Sequence, residues 1–315
     1  MLSIVVPCYN EEQTVGPLYT AITDVLQAPG IEYELLFVDD GSMDNTLDQL
    51  QALADRDCHV KYISFSRNFG KESAMYAGLR YSKGDFVVTM DADFQDPPDL
   101  LPKMYALLQS GEYDMVATRR INRKGEPIIR SFFAKCFYGI FNRLADIHLA
   151  SGARDYRMMT RKVVDVVLSV NEYNRFSKGL YEWVGFKTKY LEYQNSLRLD
   201  GRTKWGFSKL WRYAIDGIID FSEKPLAIVS WFGIFMTFFS FFMGLLVIVK
   251  KLVFGDPVSG WSSLVCIIIF IGGIQLFCIG IVGRYLAKVY LEVKRRPMYV
   301  VCDTNMDGPS ADGYE

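Results

Sequence analysis

Short apolar runs alternate with amphipathic stretches along the first 120 residues of the chain. The runs near 2–6, 34–38, 60–65, 85–90 and 114–118 have the length of buried strands, and the stretches near 12–27, 44–55, 71–82 and 98–109 repeat apolar residues at helical spacing. Strands alternating with helices of this length predict a parallel, doubly wound sheet. Such a sheet binds its ligands at the carboxyl ends of its strands.

The pattern changes after residue 225. Residues 226–249 carry no charge over 24 positions and residues 262–283 none over 22. At ~1.5 Å rise per residue either helix covers the ~30 Å of a bilayer core. Two buried core helices are the alternative, but soluble helices of this length carry a polar face. Lys209, Arg212 and Lys224 precede the first run, Arg284, Lys288, Lys294, Arg295 and Arg296 follow the second, and the connecting loop has Lys250 and Lys251. The positive-inside rule then puts both flanks in the cytoplasm and makes the runs a hairpin. The expected organisation is a cytoplasmic catalytic domain over 1–225, two transmembrane helices within 226–283, and a cytoplasmic tail over 284–315. Residues 303–315, rich in Asp and Gly, read as disordered.

Two further helices are expected near 128–147 and 206–222. Their aromatic stripes suit either a core or the plane of a membrane interface. Gly272, Gly273, Gly280 and Gly283 in the second run would allow close helix contact and hence a homo-oligomer.

Composition narrows the functional classes. A formal net charge of −1 over 315 residues argues against nucleic-acid binding, which needs a basic excess. The six cysteines form no CxxC pair and read as reduced, buried thiols, while the two histidines fit no zinc-hydrolase pattern. Met1 leads straight into an apolar run stopped by Pro7, with no basic n-region, so the N-terminal part is expected to stay in the cytoplasm.

Chemistry-bearing residues fall where the strands end. Strand one runs into Pro7-Cys8-Tyr9-Asn10-Glu11-Glu12, a polar turn that could grip a nucleotide base. Strand two ends in Asp39 and Asp40, whose mutual repulsion suggests a partner such as ribose hydroxyls, a base N–H or a cation. Ser42 or Asp44 beyond them reads as a helix cap. Strand four ends in Asp91-Ala92-Asp93-Phe94-Gln95-Asp96, where an extended backbone would aim Asp91 and Asp93 the same way. Their hard oxygens suit Mg²⁺ or Mn²⁺.

The order of PCYNEE, VDDGSMDNT, SRNFGKESA and DADFQDPP is similar to glycosyltransferase family 2, whose members have the GT-A fold. With the two apolar runs the chain resembles the polyprenyl-phosphate glycosyltransferases, the group of dolichol-phosphate-mannose synthases and bactoprenol glucosyltransferases. The resemblance implies that Pro7, Tyr9, Glu11, Asp39, Asp40 and Ala92 line the nucleotide-sugar site. Asp91, Asp93 and Gln95 would hold the metal and the donor diphosphate, with Lys71 facing phosphate or lying on a solvated basic face. Arg119, Arg130 and Ser131 resemble the acceptor-phosphate positions, with Arg120 an equally placed alternative. Arg202 and Lys204 resemble a loop that closes over the diphosphate; a basic segment drawn to anionic lipid is the other reading. Asp155 would be a catalytic base or orienting group, or else an ion-pair partner of Arg154 or Arg157.

The resemblance thus implies an inverting transfer of a hexose from a nucleotide-sugar to a polyprenyl phosphate at the cytoplasmic face of a bacterial-type inner membrane. UDP-glucose and undecaprenyl phosphate are the first choices. UDP-N-acetylglucosamine, GDP-mannose or a UDP-aminoarabinose-type donor remain open. A processive polysaccharide synthase would need a QxxRW motif and more spans, and an inactive scaffold would not need Asp39, Asp91 and Asp93 intact.

Overall fold

The structure is a computed structural model that describes residues 1–120, 139, 143, 153–170, 172–193, 222, 224–254 and 260–307. The helices expected near 128–147 and 206–222 lie outside those residues, as do Arg130, Ser131, Arg202 and Lys204, apart from Gly139, Arg143 and Ser222.

Eight strands form one sheet: β1 Leu2–Cys8, β2 Tyr33–Asp39, β3 Val60–Phe65, β4 Phe86–Thr89, β5 Met115–Arg120, β6 Ala153–Thr160, β7 Thr188–Tyr193 and β8 Val301–Thr304. Their order is β7-β5-β6-β4-β1-β2-β3-β8. The middle is parallel through β4, β1, β2 and β3, as the alternation predicted. β6 runs antiparallel between β4 and β5, β7 lies parallel to β5, and β8 runs antiparallel along β3.

Helices α1 Val15–Gln27, α2 Thr46–Arg56 and α4 Leu101–Gln109 cover one face of the sheet. Helices α3 Lys71–Tyr81, α5 Arg161–Ser169 and α6 Ser177–Trp183 cover the other. Period-two alternation shares β1 between the layers: Leu2, Ile4 and Val6 join the α1 side, and Val5 joins the α3 side. A strand buried on both faces is apolar on both, save for polar residues that pair with each other as Ser3 and Glu34 do, which explains the runs in the sequence. Each fully buried Leu, Ile or Val in these layers stabilises the fold by ~1.5–3 kcal/mol.

Helices α7 Lys224–Phe254 and α8 Trp261–Lys294 are longer than the uncharged runs and absorb Lys250, Lys251, Arg284 and Lys288. The link between them is therefore only residues 255–260, and the two lysines expected in it belong to the last turns of α7. Their apolar side chains point outward, with Phe241 74% and Leu276 72% exposed. In water that exposure would be costly; facing lipid it is not.

Two expectations need correction. The tail is not disordered from Asp303, because Val301–Thr304 form β8 and Asp303 accepts hydrogen bonds from Gln51 (2.8 Å) and the Tyr62 hydroxyl (3.0 Å). Of the four cysteines whose side chains are described, all free, Cys8 is buried but Cys58 and Cys302 are exposed. Of the two cap candidates for α2, Asp44 takes the N–H of Thr46, the first helical residue, at 3.1 Å, while Ser42 crosses to accept the Asn10 N–H at 2.9 Å.

Candidate active site

The turns after β1 and β2 are sewn together at the carboxyl end of the sheet. Asn10, with φ 54°, accepts the Met43 N–H (2.9 Å), Thr46 accepts the Glu11 N–H (2.9 Å), and Glu12 accepts the Asn45 N–H (3.2 Å). Backbone donors of two loops are thereby satisfied by side chains, which fixes a crevice rim that would otherwise be loose. Pro7, Tyr9 and Glu11 sit on this rim, and the Glu11 carboxylate is steadied by the Thr14 hydroxyl at 2.9 Å.

Asp39 lies beneath the rim, 1% exposed, accepting from Ser42 N (3.0 Å) and Ser64 Oγ (2.8 Å). Asp40 points elsewhere. Its carboxylate accepts the N–H groups of Phe69 (2.6 Å) and Gly70 (2.9 Å), holding the turn between β3 and α3. Burial pushes it up to about 6 against those two donors. Asp40 therefore supports the turn that leads into α3. Gly41 makes the crossing feasible: its φ is +67°, and a Cβ there would lie 2.4 Å from the Arg67 backbone carbon.

The centre of the site is an ammonium between two carboxylates. Lys71, at the start of α3, reaches Asp91 at 2.6 Å and Asp155 at 2.9 Å, with its side chain still 38% exposed. Burial acts to lower its pKa, but Asp155 and Asp91 hold it well above the usual lysine value. It is an anchored cation, not part of a solvated face. Asp155 arrives through the antiparallel course of β6, whose first residues lie beside the end of β4, and the Thr89 hydroxyl donates to the Asp155 carbonyl at 2.6 Å.

Asp155 pairs with Lys71 and with Lys178 (3.9 Å), not with Arg154 or Arg157. Burial opposes its charge, yet Lys178 and Lys71 keep it well below the ordinary carboxylate range. Asp155 thus lies between its two lysines, the geometry of an orienting group.

After β4 the backbone does not stay extended. Residues 92–94 turn, Phe94 has φ 58°, and the Asp93 carboxylate accepts the Gln95 N–H at 3.1 Å, so strand alternation does not aim Asp91 and Asp93. Ala92 is buried in the α1-side layer, leaving only its backbone for a ligand. The Gln95 amide oxygen accepts from Arg154 at 2.9 Å. Asp96, 1% exposed, accepts the Asp91 N–H (3.0 Å), and Arg154 lies 3.7 Å from it. Burial and the Asp91 charge push Asp96 up to about 7. Arg119 is exposed at the carboxyl end of β5, paired in register with Ala153. The partly exposed Asp91 and Asp93, with hard oxygens on one tight turn, fit a Mg²⁺ or Mn²⁺ ion.

Sequence reasoning missed Lys178, Glu72 and the role of Asp96. Asp96 and Glu72 stood inside quoted motifs; Lys178 carries no local signal, since only the placement of α6 beside β6 brings it in. Glu72 accepts from both the N–H (3.2 Å) and the hydroxyl of Ser177 and so ties α6 to α3. Burial, then the charge of Asp155, pushes Glu72 up to about 6. Because the folded value is raised above the unfolded one, its contribution is complete below about 4.5 and is lost as pH rises through about 6. Urea melts should show Glu72→Gln gaining ~1–2 kcal/mol on the parent between pH 5 and pH 8. A constant difference between the two proteins would contradict this.

Comparison with known proteins gives one consistent answer. Residues 3–168 match the model for glycosyl transferase family 2. The uncharacterized glycosyltransferase sll0501 of Synechocystis sp. is 40% identical over 96% of this chain and 95% of its own. An SfII prophage-derived bactoprenol glucosyl transferase of Shigella flexneri is 38% identical over 98% and 99%. A prophage bactoprenol glucosyl transferase homolog of Escherichia coli K12 is 37% identical over 95% and 98%. The family match takes in β1 to α5, and with it every described strand end that carries a candidate residue; the chain belongs to glycosyl transferase family 2.

Proposed function

We propose that this membrane-associated glycosyltransferase moves glucose from UDP-glucose to undecaprenyl phosphate, with inversion, at the cytoplasmic face. The observation that carries the reading is the likeness to bactoprenol glucosyl transferases over 98% of the chain, since that span includes both exposed apolar helices as well as the catalytic domain. The basic residues flanking α7 and α8 support the cytoplasmic orientation.

Pro7, Tyr9, Glu11 and Asp39 face the nucleoside, and Asp91 and Asp93 hold the divalent cation, with Gln95 joining if it releases Arg154. The cation, when bound, neutralises charge that builds on the departing diphosphate. Lys71, kept in place by Asp155 once Asp91 turns to the cation, adds a second positive charge at the same place. A lipid phosphate with second pKa ~6 is already largely dianionic at neutral pH, so it attacks the anomeric carbon without a base. The C–O bond to the diphosphate breaks as the new one forms, and the electron pair leaves with the nucleotide. Arg119, Arg130 and Ser131 receive the acceptor phosphate, because guanidinium forks bind phosphate bidentately. Arg202 and Lys204 close on the leaving group.

Membranes containing the protein should be incubated with labelled UDP-glucose, UDP-N-acetylglucosamine and GDP-mannose, and the lipid phase counted. Glucose label is the expected result. Label from another sugar alone would overturn the donor assignment, and label only in water-soluble product would overturn the acceptor. With the acceptor varied, Arg130→Ala should raise the KM for polyprenyl phosphate about 10-fold to 150-fold and leave that for UDP-glucose nearly unchanged. A defect on the donor side would move Arg130 to the nucleotide.

A further inference from the structure

The chain leaving α8 does not run off into solvent. Arg295, in the left-handed region at φ 47°, closes the helix, and its N–H returns to the Glu292 carbonyl at 3.1 Å. Only Arg295 to Met298 separate Lys294 from Tyr299, which is 8% exposed. The Tyr299 ring stacks on Phe65, the last residue of β3, with centroids 5.0 Å apart and planes 16° apart. Phe65 in turn meets Phe69 edge-on at 5.8 Å. The next carbonyl, that of Val300, accepts the N–H of Ser66 at 3.0 Å, and Val301 pairs with Phe65.

The tail therefore grips the first half of the turn that runs from β3 into α3, just as Asp40 grips the second half through Phe69 and Gly70. Lys71 follows directly. Tyr299 also meets Tyr76, one turn into α3, at 6.3 Å, so a single ring braces both the turn and the helix from which Lys71 projects. A lysine has a flexible four-carbon stem, and its ammonium can be preset between two carboxylates only if its backbone is fixed.

We infer that Tyr299 and the strand behind it are positioning elements for Lys71, so that the segment after the second apolar helix forms part of the frame of the donor site. This rests on Lys71 serving the donor diphosphate. The five Cα-to-Cα steps from Lys294 to Tyr299 reach at most ~18 Å, so little slack separates the end of α8 from the ring that braces the site.

The test is a double-mutant cycle on the full-length protein in bilayer discs, with steady-state kinetics for donor and acceptor and a thermal melt for each variant. Lys71→Ala should lower kcat/KM for the nucleotide-sugar about 100-fold. Tyr299→Ala should lower it about 10-fold, Tyr299→Leu nearly as much, and Tyr299→Phe by less than about threefold, because only the ring stack is being tested. The KM for the lipid acceptor should stay put. Most telling, Tyr299→Ala should add nothing once Lys71 is already alanine, because a positioning residue has no effect when the group it positions is gone. A multiplicative loss in the double variant, or a loss that merely tracks the folded fraction at the assay temperature, overturns the inference while leaving Lys71 in its role. Full activity of Lys71→Ala overturns the role of Lys71, and the inference with it. Tyr299→Leu decides the matter should Tyr299→Ala not fold.

Discussion

Asp93→Asn is expected to lower turnover by roughly 10²–10³-fold while leaving the melting temperature almost unchanged. The separation follows from where Asp93 sits. Its carboxylate is partly exposed on the turn after β4 and makes a bond within the fold to the Gln95 N–H, which an asparagine oxygen can also accept. The substitution therefore keeps the turn and removes a charge that a divalent cation needs. Turnover should be measured across a metal titration reaching saturation, beside a thermal melt. Near-normal turnover at saturating metal would remove Asp93 from the metal site.

Gly41→Ala is expected to destabilise the protein by ~2–4 kcal/mol, combining the cost of a left-handed backbone with that of forced overpacking. The clash is with backbone: the added Cβ would stand 2.4 Å from the Arg67 carbonyl carbon and 2.8 Å from the Asn68 nitrogen, so no rotamer change relieves it. The strand end must move, and the Asp40 bonds to Phe69 and Gly70 move with it. Denaturant melts measure the first effect; loss of activity below the melting transition measures the second. A stability within 0.5 kcal/mol of the parent, the range of a neutral surface change, would mean the crossing is looser than described.

Most of the nucleotide half was legible. β1 to β5 and α1 to α4 declare themselves because their buried faces repeat at periods of 2 and 3.6, and Asp39, Asp91 and Lys71 stand at the junctions that a doubly wound sheet uses. β6 was not legible, because Arg154 and Asp155 open it and Arg157 lies fully buried within it, its guanidinium 4.1 Å from the Tyr181 ring centroid. A strand with an interior arginine breaks the alternation that sequence reading relies on. β8 failed for the opposite reason: four residues, Val-Cys-Asp-Thr, carry too little pattern to stand out from a polar tail. The turn at Asp91 misled because a strand pattern was carried through Asp93, four residues past Thr89, where β4 stops. Glu72 bonds to Ser177 of a helix about a hundred residues further on, and Lys178 reaches Asp155 of β6; no local signal encodes either contact.

β8 also bears on how the catalytic domain can be handled in isolation. A fragment ending before Lys224 would look complete by sequence, yet it would lack the strand that pairs with Ile63, Ser64 and Phe65. Its β3 would then be an open edge, with Phe65 stripped of its Tyr299 cover, and an unpaired apolar edge is a template for another chain. Such a fragment should self-associate on concentration. Grafting residues 298–307 back through a flexible linker, without either apolar helix, should restore a monomer.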